Sequence, residues 1–204
     1  MPLKDKEALA ALLPGEVLEM LRAGNARYVH GTQREQEHAR ARALTAGGQY
    51  PYAVVLSCID SRVIPEVIFD AGIGELFVVR IAGNIVNRDI LGSLEYACAV
   101  TGSKVVVVMG HTSCGAVKGA VSEVVLGNLT GALRPLRLAV ALTREEGTDP
   151  GDPAFADAVA LTNVRVTLRD IREQSPVLRE MEEKGEIIIA GAMYDHVSGE
   201  VSWL

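Results

Sequence analysis

Four short runs of β-branched and other apolar residues, spaced along the chain and separated by helical stretches, constrain this fold more than any other feature. They fall at residues 52–57 (YAVVLS), 76–81 (LFVVRI), 104–109 (KVVVVM) and 186–190 (EIIIA). Each is nearly continuous in its apolar character rather than alternating, which is how strands read when both sheet faces are covered. Helical patterns lie between them. Residues 89–100 place Ile90, Leu94 and Ala97 on one face, and Leu161, Val164, Leu168 and Ile171 follow at spacings suited to a helical stripe. Ser175-Pro176 supplies an N-cap and a first-turn proline, and Gly185 a stop. The expected fold is α/β: a mostly parallel four-stranded sheet flanked by helices, with a C-terminal edge strand after a turn at Ser198-Gly199.

A chain of 204 residues suffices for one domain with a full core. We read residues 1–204 as a single domain, with 1–48 a helical arm and 49–204 the α/β core. Within the arm, residues 14–30 read as a helix. Residues 35–46 read as a second helix, short of apolar content and suited to packing on a partner. The segment 148–153 (TDPGDP) is a loop within the helical region, and no internal repeat is visible. The net charge of −6 argues against nucleic acid as the main partner. No window approaches the ~18 consecutive apolar residues of a membrane span. The first twenty residues carry charges every few positions and no leader-like apolar run, so a cytoplasmic location is expected.

Three cysteines, Cys58, Cys98 and Cys114, are too few and odd in number for a disulfide framework. Cys98 lies within a helical pattern and reads as a small core residue. The other two stand at strand ends among polar neighbours, in Ser57-Cys58-Ile59-Asp60-Ser61-Arg62 and Gly110-His111-Thr112-Ser113-Cys114-Gly115. In a parallel sheet both segments leave at the carboxyl edge, where such folds bind ligands. An extended chain past Cys58 would put Cys58, Asp60 and Arg62 on one face. His111 and Cys114, three apart, suit a turn opening a helix, whose N-terminus would favour the Cys114 thiolate. Two thiolates and one imidazole suit zinc, and three protein ligands leave the fourth position open, as in catalytic sites. His30, His38 and His196 read as surface or hydrogen-bonded histidines. Gly110 and Gly115 have the spacing that begins a phosphate-binding loop, but Ala116 stands where its lysine belongs.

Cys-x-Asp-x-Arg followed some fifty residues later by His-x-x-Cys resembles the signature of the β-class carbonic anhydrases. That resemblance implies reversible hydration of carbon dioxide to bicarbonate and a proton by attack of zinc-bound hydroxide, with one zinc per chain. Cys58, His111 and Cys114 resemble the zinc ligands. Asp60 and Arg62 resemble the dyad beside the metal, the Asp accepting a hydrogen bond from the hydroxide and the Arg holding the carboxylate. A flexible Asp60 is also expected as a fourth ligand in a closed state. Gln49, Phe77, Ala82, Tyr96 and Gly115 match positions around the family's substrate pocket. The family assembles as dimers or larger homo-oligomers with the site at the interface, so Gln49, Phe77 and Tyr96 are expected to act on a partner's zinc. Gln49, together with Val55 where another branch has tryptophan, resembles the branch not switched by bicarbonate. Two alternatives keep the same residues: hydrolysis of carbonyl sulfide or carbon disulfide, and a structural zinc or thiol-redox protein without catalysis. The second has no use for Asp60 and Arg62.

Overall fold

The computed structural model describes residues 5–204; the first four, which open the stretch read as lacking a leader, lie outside the described residues. Five strands form one sheet in the order β2-β1-β3-β4-β5. They are β1 (Ala53–Ser57), β2 (Leu76–Arg80), β3 (Val105–His111), β4 (Ile188–Tyr194) and β5 (Val201–Trp203). The first four run parallel, and β5 returns antiparallel against β4, as the sequence pattern predicts. Every residue of β1 and β3 is buried, which accounts for their uninterrupted apolar character.

The helices are α1 (Lys6–Ala10), α2 (Pro14–Val29), α3 (His38–Thr45), α4 (Pro65–Ile68), α5 (Arg88–Glu95), α6 (Gly115–Val121), α7 (Gly127–Ala132), α8 (Leu136–Glu145), α9 (Phe155–Gln174) and α10 (Pro176–Glu183). Successive strand side chains alternate between faces. Val55, Val105 and Val107 pack with Leu9, Val17, Leu21, Ile68 and Phe69 on one face. Val54, Leu56, Val106 and Val108 pack with Leu94, Val164, Ile171 and Leu178 on the other. Among the described residues no helix is long and apolar enough to cross a membrane.

The structure departs from the sequence reading in two places, the helix over 89–100 and the segment after Cys58. The helix expected over residues 89–100 is α-helical only to Glu95 and continues as a π-helical turn, Tyr96–Thr101, that ends on left-handed Gly102. Within the arm, α1 and α2 lie on the chain's own sheet, burying Leu9, Val17 and Leu21. Gly24 makes that approach possible, because a Cβ there would sit 2.0 Å from the Phe69 carbonyl oxygen. Of the three arm helices, α3 alone has no buried residue among the described residues. Finally, the chain does not stay extended past Cys58. It turns at 60–63, where the Val63 N–H donates to the Asp60 carbonyl at 2.9 Å.

The strand order places the site. From β1 the chain moves to β2 on one side, then crosses back to β3 on the other. The segment after β1 leads to Ile68 and Phe69 on the α1–α2 face, whereas the segment after β3 leads to α9 and α10 on the opposite face. The exits of β1 and β3 therefore diverge, opening a crevice at the carboxyl edge, the usual ligand position in such sheets.

Candidate metal centre

Register brings the two halves of the motif together. Ser57 pairs with Met109 across β1 and β3, so Cys58 leaves β1 beside Gly110 and His111. Between His111 and Cys114 the chain reverses through Ser113, which has φ 54°. This left-handed conformation is costly for a non-glycine residue, and the Ser113 N–H donates to Asp157 Oδ1 at 2.7 Å, which helps hold it. Gly110 has no room for a side chain: a Cβ would lie 2.7 Å from both Met193 Sδ and Val164 Cγ2, so α9 packs directly under the turn.

Cys58, His111 and Cys114 are 3%, 0% and 2% exposed, and their ligating atoms lie within 4.8 Å of one another. The two sulfurs are 3.9 Å apart. Two Zn–S bonds of about 2.3 Å at a tetrahedral angle separate sulfurs by about 3.8 Å, so the sulfur pair already has the spacing of two ligands of one ion. His111 Nδ1 lies 2.9 Å from the Thr112 carbonyl oxygen. That oxygen can only accept, so Nδ1 carries the proton and Nε2 presents a lone pair. His111 Nε2 is buried without a hydrogen-bond partner, an arrangement that is costly unless something else takes the lone pair. The donor set fits zinc.

The two thiols titrate as a pair. Cys58 is pulled well below its ordinary value, chiefly by the hydrogen bond from Cys114, against the opposing effect of burial, with a further contribution from the Gly83 N–H at 3.4 Å. Cys114 is pushed up by that same hydrogen bond and by burial; the N–H groups of Ala116 and Val117 pull it down, but more weakly. The N–H groups at the start of α6 do act on Cys114 in the expected direction, and one of the two thiols is readily ionised beside the other. Cys98 has no such partner: burial raises it to about 12, as suits a core residue.

Asp60 and Arg62 form a fork-to-fork pair. Arg62 Nε donates to Oδ1 at 2.9 Å and Nη2 to Oδ2 at 2.8 Å, while the Arg62 backbone N–H closes an Asx turn on Oδ1 at 3.0 Å. Asp60 is held far below the usual carboxylate range, first by the Arg62 side chain. Both carboxylate oxygens therefore accept from the guanidinium, and an Asp60 oxygen also lies within 4.8 Å of ring nitrogens of His111 and His196. Arg80 steadies the segment from the end of β2, donating to the Cys58 carbonyl at 3.0 Å and the Asp60 carbonyl at 2.6 Å. The other wall is held by Asn163, which donates to the Gly83 carbonyl at 2.8 Å.

The remaining sequence-predicted residues divide. Ala82 lies next to Gly83 and hence near Cys58, and Gly115 is the exposed first residue of α6. Phe77 and Tyr96 do meet each other, edge to face at 6.2 Å between centroids. They line a groove of about 610 Å³ with Val79, Arg88 and Gly92 along the outer edge of β2. Phe77 pairs with Val54, four residues before Cys58 and so about 13 Å back along the sheet. Gln49 is exposed and precedes β1, at the sheet's amino edge. Neither Gln49 nor the aromatic pair is brought to the metal-ligand cluster within the chain. Two residues the sequence did not flag do reach it: Arg80, and His196, whose Nε2 lies 2.9 Å from His111 Nδ1. Arg80 could have been suspected as a charge ending an apolar strand beside Cys58; nothing local marks His196.

Comparison with known proteins agrees with this geometry. Residues 53–201 match the family model described as carbonic anhydrase. Carbonic anhydrase 2 of Mycobacterium tuberculosis is 35% identical over 187 residues, 89% of this chain and 88% of the relative. The carbonic anhydrase of Mycolicibacterium smegmatis is 34% identical over 194 residues, 92% of each chain. Among solved structures, the chain superposes on one of two tetrameric β-carbonic anhydrases from Sordaria macrospora with a TM-score of 0.75 at 26% identity, covering 93% of this chain and 97% of that one. For the β-carbonic anhydrase CafA of Aspergillus fumigatus the values are 0.73, 28%, 93% and 89%.

Proposed function

We propose, since the chain belongs to the β-carbonic anhydrase family, that it hydrates carbon dioxide reversibly to bicarbonate and a proton, with one zinc ion held by Cys58, His111 and Cys114. The observation that carries this reading is the orphaned His111 Nε2, buried within ligand distance of two sulfurs 3.9 Å apart. Zinc bound there supplies Lewis acidity and lowers the pKa of a water toward neutrality.

The chain's own residues supply the rest. Asp60, kept ionised by Arg62, accepts a hydrogen bond from the attacking water and so fixes which lone pair points at carbon dioxide. Arg62 engages one lone pair on each carboxylate oxygen, and that bidentate hold favours the open arrangement over Asp60 as a fourth ligand while leaving a lone pair for the water. Cys58 and Cys114 place two negative charges in a dry site, and the Gly83 N–H offsets part of that charge at Cys58. Ala82 and Gly115 lie beside the ligands and leave space for a small linear substrate.

Gln49, Phe77 and Tyr96 serve the site of a second copy. Their distance from their own chain's cluster supports this, as does the edge of β2, which no other strand among the described residues covers. The working protein is then a homodimer or larger, and three reduced cysteines agree with a cytoplasmic setting.

The test is zinc stoichiometry and stopped-flow carbon dioxide hydration on wild type and Cys114→Ser. One zinc per wild-type chain, with zinc and activity lost together in the variant, is the expected result. Full activity in a zinc-free preparation overturns the reading.

A further inference from the structure

His196 meets the metal-ligand cluster from the far end of the chain. The proton on His111 Nδ1 is fixed by the Thr112 carbonyl, which lies 2.9 Å away and cannot donate. His196 Nε2 lies at the same 2.9 Å from that nitrogen, so it too must accept, and the proton of its own ring sits on Nδ1. The two imidazoles stand edge to face, 4.8 Å apart and tilted by 67°. One N–H is thus shared between two acceptors on different sides, which fixes both the tautomer of His111 and the rotation of its ring.

The position of His196 is itself constrained. Its backbone N–H donates to Thr112 Oγ1 at 3.1 Å, and Tyr194 packs edge-on against its ring at 5.2 Å. The turn that carries it is closed by Asp195 Oδ1, which accepts from the N–H groups of Val197 and Ser198 at 2.9 and 2.7 Å. Buried Asn25 of α2 grips the far side of that turn, donating to the Gly199 carbonyl and accepting from the Val201 N–H, both at 2.9 Å. The ring is therefore delivered to His111 by a braced hairpin.

We infer that His196 is a positioning residue for the metal ligand His111: by accepting from Nδ1 it sets the ring angle at which Nε2 faces Cys58 and Cys114. The inference rests on the proposed reading that His111 holds zinc. His196 acts through His111 and has no assigned contact with substrate. Partners that orient a ligating histidine in this way commonly contribute 10- to 100-fold in metal affinity. Because Thr112 shares the N–H, the lower end applies here.

Three variants test it. His196→Gln returns an acceptor oxygen near the place of Nε2, His196→Leu fills the volume without an acceptor, and His196→Ala provides neither. The readouts are zinc affinity by competition with a chromogenic chelator and the thermal midpoint of the zinc-stripped chain. Expected are an affinity about tenfold weaker for Leu and Ala, near wild type for Gln, and similar metal-free midpoints for all. Leu or Ala binding zinc as tightly as wild type, or Gln weakened as much as they are, overturns the inference and leaves the zinc reading intact. A wild-type protein that takes up no stoichiometric zinc overturns both.

Discussion

Asp70→Asn tests the ion cluster that ties the arm to the sheet. Asp70 is 3% exposed and has φ 48°. Asparagine tolerates that left-handed conformation as well as aspartate does, so the substitution removes the charge without adding backbone strain. The carboxylate receives Arg27 Nε at 2.5 Å, Arg34 Nε at 3.3 Å and the Arg34 backbone N–H at 3.1 Å, and Arg34 also reaches Glu75 at 2.8 Å. Breaking a fully buried ion pair by removing one partner costs about 3–5 kcal/mol. Here the two guanidinium side chains are 33% and 40% exposed, so water can recover part of that, and we expect a loss of about 2 kcal/mol at pH 7. The pH dependence follows from the direction of the Asp70 shift. Burial alone would raise Asp70, but the Arg27 hydrogen bond, the Arg34 N–H and both positive charges outweigh it and hold the group below its ordinary value. A carboxylate lowered on folding contributes fully above its unfolded value of about 3.9, and the contribution fades as pH falls through the folded value. Urea unfolding of wild type and variant at pH 7, 5, 4 and 3 should therefore show a gap that is constant down to about pH 4 and then narrows. A gap that is absent at pH 7, or that stays constant to pH 3, refutes the reasoning.

Gly24→Ala should destabilise by about 2 kcal/mol despite the better helix propensity of alanine, because the new Cβ would meet Phe69 backbone that cannot move aside; Gly15→Ala, in open space on the same helix, should be neutral or slightly stabilising, and equal midpoints for the two would sink the packing argument. Asn25→Ala should cost about 3 kcal/mol, since it leaves the Ile68 and Gly199 carbonyls and the Val201 N–H without their partner. It should also weaken zinc binding in the direction of His196→Leu, as chelator competition would read, whereas unchanged unfolding in urea would show that water replaces the amide.

How far the sequence carries depends on how local each cause is. β1 and β3 are legible because a strand buried on both faces must be apolar at every position. Cys58 and His111 are legible because one directly follows such a strand and the other ends one, and Cys114 because it stands three residues beyond His111 where the next helix opens. The turn at 60–63 is a different case: alternation suggested an extended chain, but the Asp60 side chain captures the Arg62 N–H two residues on, and this local bond overrides the strand pattern. The π-helical turn at Tyr96–Thr101 leaves no mark in a periodicity tuned to 3.6 residues. The self-packing of α1 and α2 depends on the empty space at Gly24, which becomes visible only once Phe69 is opposite it. His196 is the furthest from local signal, 85 residues from the candidate ligand it touches, on a turn held by Asn25 of α2, which is 174 and 176 residues before the groups it bonds.

These distances matter because they show what organises the centre. A Cys-x-Asp-x-Arg segment and a His-x-x-Cys segment have no reason to meet except that β1 and β3 are neighbours whose exits diverge to opposite faces. Once they meet, each candidate ligand is steadied by neighbouring groups: Cys58 by the Gly83 N–H and by Arg80 on its carbonyl, Cys114 by the Ser113 turn that Asp157 holds, and His111 by Thr112 and the β4–β5 hairpin. The supports come from both faces of the sheet, so rigidity at the centre is a property of the whole layered fold. The aromatic pair Phe77–Tyr96 stands outside that system, on the uncovered edge of β2. On the proposed reading, the two halves of the site therefore obey different rules. Substitutions on either face of the sheet should loosen the metal while the chain remains alone, whereas substitutions along the β2 edge should leave metal affinity intact and reduce turnover only in the assembled oligomer.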